Sequence, residues 1–200
     1  MSDQKIKKEE LNQALKEYVF SNKIKGVKET LELGADPNQM MTSKRKSKLS
    51  MQMKKGMSKR RKEKKERGTQ YLIHKAVLNN NYQMVKELLE KGADKHINFM
   101  TKKCGNALNC VVKFSPKTSD SYKIFKLLLE YGGNPFCFDN NGLNTFFYAE
   151  KQSNKDKQYF VKGEQEDRGR YLGILNDYRL KNTKKMAILL NNSIKKYRFE

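Results

Sequence analysis

The 200-residue chain contains no tryptophan, only three prolines and three cysteines, and no apolar run approaching the length of a membrane span. A spanning helix needs about 20 consecutive apolar residues, so one is excluded and a soluble chain is expected. The opening MSDQKIKKEELNQ has charges but no apolar stretch behind them. A secretory leader needs that stretch, so export by the general secretion route is not expected. Cys104, Cys110 and Cys137 are odd in number and few, which fits reduced thiols in an intracellular compartment better than a disulfide framework. Acidic side chains are also scarce: 22 Asp and Glu face 43 Lys and Arg, for a net charge of +21. Composition alone therefore makes a polyanionic or acidic partner a candidate.

The patterns that chemistry needs are missing too. The two histidines, His74 and His96, lie apart from any nucleophile or paired carboxylate. Cys104 and Cys110 are six apart with no second Cys pair and no His-x-x-x-His nearby, which argues against zinc. Gly132-Gly133-Asn134-Pro135 lacks the Lys and Ser/Thr of a phosphate-cradling loop. Asp36, Asp94 and Asp139 stand in turn-forming stretches, where carboxylates bond nearby backbone N–H groups. A non-enzymatic chain without metal or cofactor is expected.

The basic surplus is concentrated. Residues 44–67 carry 13 Lys and Arg against two Glu, without one aromatic side chain. So little apolar surface cannot offset the entropy of ordering a backbone, and a mobile segment is expected, with at most a transient helix over 57–67 from the Lys59/Glu63 and Lys62/Glu66 pairs. It holds two clusters, Lys44, Arg45, Lys46 and Lys48, then Lys59, Arg60, Arg61, Lys62, Lys64 and Lys65. They could extend reach toward an acidic protein surface, form a bipartite signal read by a nuclear import receptor, or neutralise the phosphates of nucleic acid or anionic lipid. A merely solvated loop is the alternative.

What is present in abundance is self-similarity. VKETLELGADPN (27–38), VKELLEKGADKH (85–96) and FKLLLEYGGNPF (125–136) each read as a short helix stopped by glycine, at Gly34, Gly92 and Gly132. Each is preceded by a second short helical segment: 13–20, 71–78 and 106–113, with a fourth at 144–151 after the turn-forming 139–142. The unit is helix, turn, helix, extended loop. It resembles the ankyrin repeat, whose period is 33 residues. Ile73-His74-Lys75-Ala76 stands where that family has Leu-His-x-Ala, Gly92-Ala93-Asp94 matches its closing Gly-Ala-Asp, as does Gly34-Ala35-Asp36, and Asp139 to Phe146, with Gly142, follows its opening. Proline is absent from the helix starts. Gly132 and Ala149 complete the recurring positions.

The resemblance implies an all-α solenoid of helix-turn-helix units with finger loops. Spacing locates its insertions: Gly34 to Gly92 is 58 residues and Gly92 to Gly132 is 40, excesses of 25 and 7 over the period. The first excess falls in the basic segment, and part of the second in the turn near 114–118. The expected units are a capping repeat at 1–39, the basic finger at 40–68, repeats at 69–100 and 101–138, a degenerate repeat at 139–180, and a cap helix at 181–200. The fourth repeat's second helix is expected at Tyr171 to Tyr178 with Ile174 and Leu175 buried, after a charged insertion. The cap helix would use Met186, Ile188, Leu189, Leu190 and Ile194. Leu31, Leu88, Leu89, Leu127 and Leu128 should be buried between neighbouring units, since no helix pair covers its own stripe. The resemblance implies binding of a protein partner on a concave face lined by first helices and fingers, and assigns His74 a structural role. Aromatics near the third finger, Phe136 and Phe138 foremost, become partner contacts if exposed. A monomeric adaptor, cytoplasmic or nuclear, or a parasite protein acting in a host cell, is the expectation.

Overall fold

The structure is a computed structural model that describes residues 2–41, 70–158 and 170–199. Every residue of the two basic clusters, and the helix expected over 57–67, lies outside the described residues. Within them run α1 (Ser2–Phe20), α2 (Ile24–Glu32), β1 (Met40–Met41), β2 (Gln70–Tyr71), α3 (Leu72–Leu78), α4 (Tyr82–Glu90), a 3-10 turn (Ala93–His96), α5 (Ala107–Phe114), α6 (Ser119–Glu130), α7 (Thr145–Gln158), α8 (Arg170–Lys181) and α9 (Thr183–Phe199). The two strands form one antiparallel pair, Met40 opposite Tyr71 and Met41 opposite Gln70, so the chain leaves for the basic segment and returns from it through a narrow neck.

The helices form two layers. The first helices α1, α3, α5 and α7 pack in a row, the second helices α2, α4, α6 and α8 pack in another, and α9 closes the end against α8. This is the all-α, ankyrin-type arrangement. Leu88 and Leu128 are wholly buried, with Leu31, Leu89 and Leu127 nearly so. At about 1.5–3 kcal/mol for each such side chain, neighbouring pairs supply the cover that an isolated pair lacks.

Sequence sets the ends of each helix. Gly34, Gly92 and Gly132 have φ of 93, 91 and 91°, the left-handed geometry that reverses the chain after a helix. After α2 the amides of Gly34 and Ala35 return to Leu31 and Thr30, satisfying carbonyls the helix leaves open. Where proline might open a helix, asparagine or threonine caps it instead: Asn81 Oδ1 accepts from Met84 N, Asn106 Oδ1 from Asn109 N, and Thr118 forms a capping box with Ser121. The α1–α2 and α3–α4 turns use Asn22 and Asn80 at positive φ, whereas residues 115–118 make a longer α5–α6 turn.

Four expectations need correction. Cys104 and Cys110 form a disulfide, both buried. An antiparallel bridge between Thr101 and Gly105 folds the loop before α5 back onto that helix's first turn, bringing the Cys104 and Cys110 Cα atoms to 4.9 Å, a fold-back that spacing does not reveal. In α8 the buried pair is Tyr171 and Leu175, while Ile174 is only half buried, because Tyr171 packs on Phe125 and Tyr122 of α6. In α9 Met186 and Ser193 turn inward and Ile188 is 61% exposed. The helical segment expected at 144–151 is longer, since α7 runs from Thr145 to Gln158.

Candidate protein-interaction surface

The ends of the first helices carry a continuous stripe of lysines and aromatics. Phe20 closes α1 and is 68% exposed; the ammonium of Lys75 on α3 lies 5.1 Å from its ring centre. Burial, then the charge of Lys103, holds the Lys75 ammonium below its usual pKa. Lys103 comes from the disulfide-bonded finger and reaches within 5.4 Å of the Phe114 ring at the end of α5. Lys113 lies 5.8 Å from that ring and 4.3 Å from that of Tyr148 on α7. Tyr148 meets Phe147 edge-on at 5.9 Å. Phe114 and Phe147 are 44% and 42% exposed. Such contacts between cation and ring are worth about 0.5–1 kcal/mol each at exposed sites, enough to order long side chains without hiding them.

Beneath the stripe sits a fixed polar anchor. Asp139 Oδ1 accepts from the amides of Asn141 and Leu143 at 2.9 and 3.2 Å, which shapes the turn before α7. Its Oδ2 accepts from the Tyr148 hydroxyl at 2.5 Å and from Lys113 Nζ at 3.4 Å. Burial pushes the Asp139 carboxyl up, but the Tyr148 hydroxyl, the two amides and Lys113 together outweigh it and hold it below the usual range. The carboxylate is saturated with donors. It positions Lys113 and Tyr148, and no open lone pair faces a substrate.

Other residues singled out from sequence have structural surroundings. His74 is buried; we assign its Nε2 as the donor to the Phe99 carbonyl at 3.0 Å, while Nδ1 has no partner. His96 stacks on Tyr71 at 3.6 Å, against the strand neck. Ala35, Ala76, Ala93 and Ala149 are buried, and Asp36 Oδ1 and Oδ2 accept from Asn38 N and Gln39 Nε2 in the first finger. Asp94 begins the 3-10 turn, and Gly142 adopts φ 70° in the turn closed by Asp139. Phe136 is half buried and stacked on Phe146 at 5.2 Å, and Phe138 is half buried too. The exposed phenylalanines among the described residues are instead Phe20, Phe114 and Phe147, single residues at helix ends that no motif marks, and Tyr131 at the end of α6 is exposed at 37%.

Asparagines tie the units together. Asn38 Nδ2 donates to the Gly92 carbonyl and Asn98 Nδ2 to that of Gly132, each at 3.0 Å. Asn79 Nδ2 donates to the Val19 carbonyl near the end of α1, and Asn106 Nδ2 to the Asn134 carbonyl. A groove between α1 and the first finger is lined by Lys8, Glu9, Asn12, Gln13, Lys16 and Gln39. Among the described residues no group of His, Cys, Asp and Glu could hold a metal ion, and no helix is long and apolar enough to cross a membrane.

Comparison with known proteins agrees with this geometry. The ankyrin repeat family model matches residues 68–97, which contain α3, α4 and the 3-10 turn. A protein of Acanthamoeba polyphaga mimivirus whose name describes an ankyrin repeat protein is 35% identical over 72 residues, 36% of this chain. The chain spans 40% of that relative's length. Residues 68–97 are thus similar to an ankyrin repeat, and the helix pairs flanking them share its two-layer build and its glycine stops.

Proposed function

We propose that the chain is a non-enzymatic adaptor that binds a protein partner across its first-helix side, the side that is concave and ligand-binding in this family. The observation that carries this is the stripe from Phe20 through Lys75, Lys103, Phe114 and Lys113 to Tyr148, which leaves large apolar rings in water at fixed positions on three of the four first helices. Exposed aromatics held by neighbours are the residue type that dominates protein interfaces. The second-helix side differs: it carries matched pairs such as Lys28–Glu87 at 2.9 Å and Lys123–Asp120 at 3.6 Å.

A photoreactive amino acid at position 114, compared with one at the exposed Lys126 of α6, tests the assignment. Protein adducts formed from 114 and not from 126 support it; equal adducts, or none from 114, overturn it. A second function is favoured by the 13 basic residues of 44–67 alone: binding of nucleic acid or anionic membrane, or recognition by an import receptor. Deleting 44–67 should abolish heparin retention or nuclear accumulation while leaving the adducts from 114 intact.

A further inference from the structure

We propose that the lysine–phenylalanine stripe takes an acidic peptide segment carrying spaced apolar side chains, presented by another protein. This rests on the adaptor function above and adds the chemistry of the partner. Among the described residues Lys75 and Lys103 have no ion-pair partner, whereas Lys28, Lys86 and Lys123 are paired on second helices and Lys113 is tied to Asp139. Lys75 and Lys103 are cations that lie against the rings of Phe20 and Phe114, and a carboxylate presented to them would supply the counter-charge both lack.

Phe20 and Phe114 supply the apolar contacts on either side of this charge. They lie two first helices apart, roughly 16–20 Å at the usual 8–10 Å between neighbouring helices. An extended peptide covers that distance in about five or six residues, so the fitting segment has an apolar side chain near each end and carboxylates between. The chain's own basic insertion is excluded as occupant by its charge, 13 Lys and Arg against two Glu. Single-stranded nucleic acid fits less well, because ammoniums already sit over the Phe20 and Phe114 rings where bases would stack.

The test is selection of a random 16-residue peptide library on the full chain at physiological salt, with dT16 as a parallel probe. Recovered peptides are re-measured on Lys75→Glu/Lys103→Glu and on Phe20→Ala/Phe114→Ala, with circular dichroism as the fold check. Lys103→Glu alone, at an exposed site, stands in if the double charge reversal unfolds. Acidic peptides with spaced apolar residues, weakened about tenfold or more by both variants, support the proposal. Neutral or basic peptides weakened by the phenylalanine variant overturn the partner's chemistry but keep the adaptor function. Acidic peptides indifferent to every variant overturn the site, since they are bound elsewhere. No enrichment overturns both proposals. Retention of dT16 that the variants abolish replaces the peptide with a polynucleotide and overturns the proposal as stated.

Discussion

Asn98 holds the backbone of Asn134 from the neighbouring finger: its Oδ1 accepts from the Asn134 amide at 2.6 Å while its Nδ2 donates to the carbonyl of Gly132 at 3.0 Å. Asn134 passes the link on, donating through Nδ2 to Ser193 Oγ of the cap helix at 2.9 Å. Fingers that would otherwise be loosely attached loops are stitched in series from the second repeat to the C-terminal helix. Asn98→Ala strips a donor and an acceptor at once and should cost about 1–3 kcal/mol in urea unfolding. Asn98→Asp keeps the acceptor, loses the donor, and should fall between. Asn140→Ala, at an exposed neighbouring turn, should be near neutral.

The helix pairs were readable because their signals are local. A glycine that must take positive φ, a leucine pair one turn before it, and a period near 33 residues need no knowledge of neighbouring units. The asparagine links were not readable, because the partner of Asn38 is 54 residues away and that of Asn98 is 34, and nothing in an isolated asparagine names its acceptor. The stripe escaped for a related reason. Phe20, Phe114 and Phe147 are spaced by stacking and not by any period along the chain, while Phe136, which sits in a conspicuous aromatic cluster, spends its face on Phe146. Ile188 misled because a lone helix gives no clue to which flank its neighbour covers.

Stability should fall with mild acid through His74. Burial keeps the ring neutral and lowers its pKa from 6.5 to about 4 against the weaker opposing bond to Phe99. Between those values the unfolded chain binds a proton that the native chain refuses. Stability is therefore fullest above pH 6.5 and is lost as pH falls toward 4, by about 3 kcal/mol at full size. Asp139 acts with the same sign at lower pH: its depressed carboxyl adds stability above its unfolded value of 3.8, lost on further acidification. Urea midpoints between pH 7 and 4.5 should decline in the wild type and decline less in His74→Gln. Parallel slopes would mean that another group controls the window.

Reduction should loosen the finger that precedes α5. The Cys104–Cys110 bond closes a loop with sequence separation 6, for which chain-entropy arguments give about 2 kcal/mol. In a Cys137→Ser background, which removes the thiol outside the bond, adding a reductant should lower the melting temperature by several degrees. A Cys104→Ala/Cys110→Ala variant should be insensitive to reductant. Peptide mapping without reduction should recover 104 and 110 cross-linked.

Restoring the repeat's usual alanine at Gly133 should damage the protein, although Ala35 and Ala93 hold the corresponding positions in the first two units. The Gly133 amide folds back to the Leu128 carbonyl at 2.7 Å, and a Cβ built there would lie 2.7 Å from that same oxygen and 3.1 Å from a methyl of Leu108. Backbone cannot step aside as a flexible side chain can, and Leu108 is itself fully buried in α5. The α6–α5 contact must open or the helix-ending bond must stretch, a strain of about 1–3 kcal/mol. Gly173→Ala is the matched control: it lies on the exposed side of α8 with nothing within 4 Å of a new Cβ, so helix propensity alone acts. That variant should gain about 0.5–1 kcal/mol. Opposite signs for two identical substitutions in one chain, read from urea midpoints at fixed slope, are the expected result. If Gly133→Ala is neutral, the tight approach of this backbone to the Leu128 carbonyl is wrong.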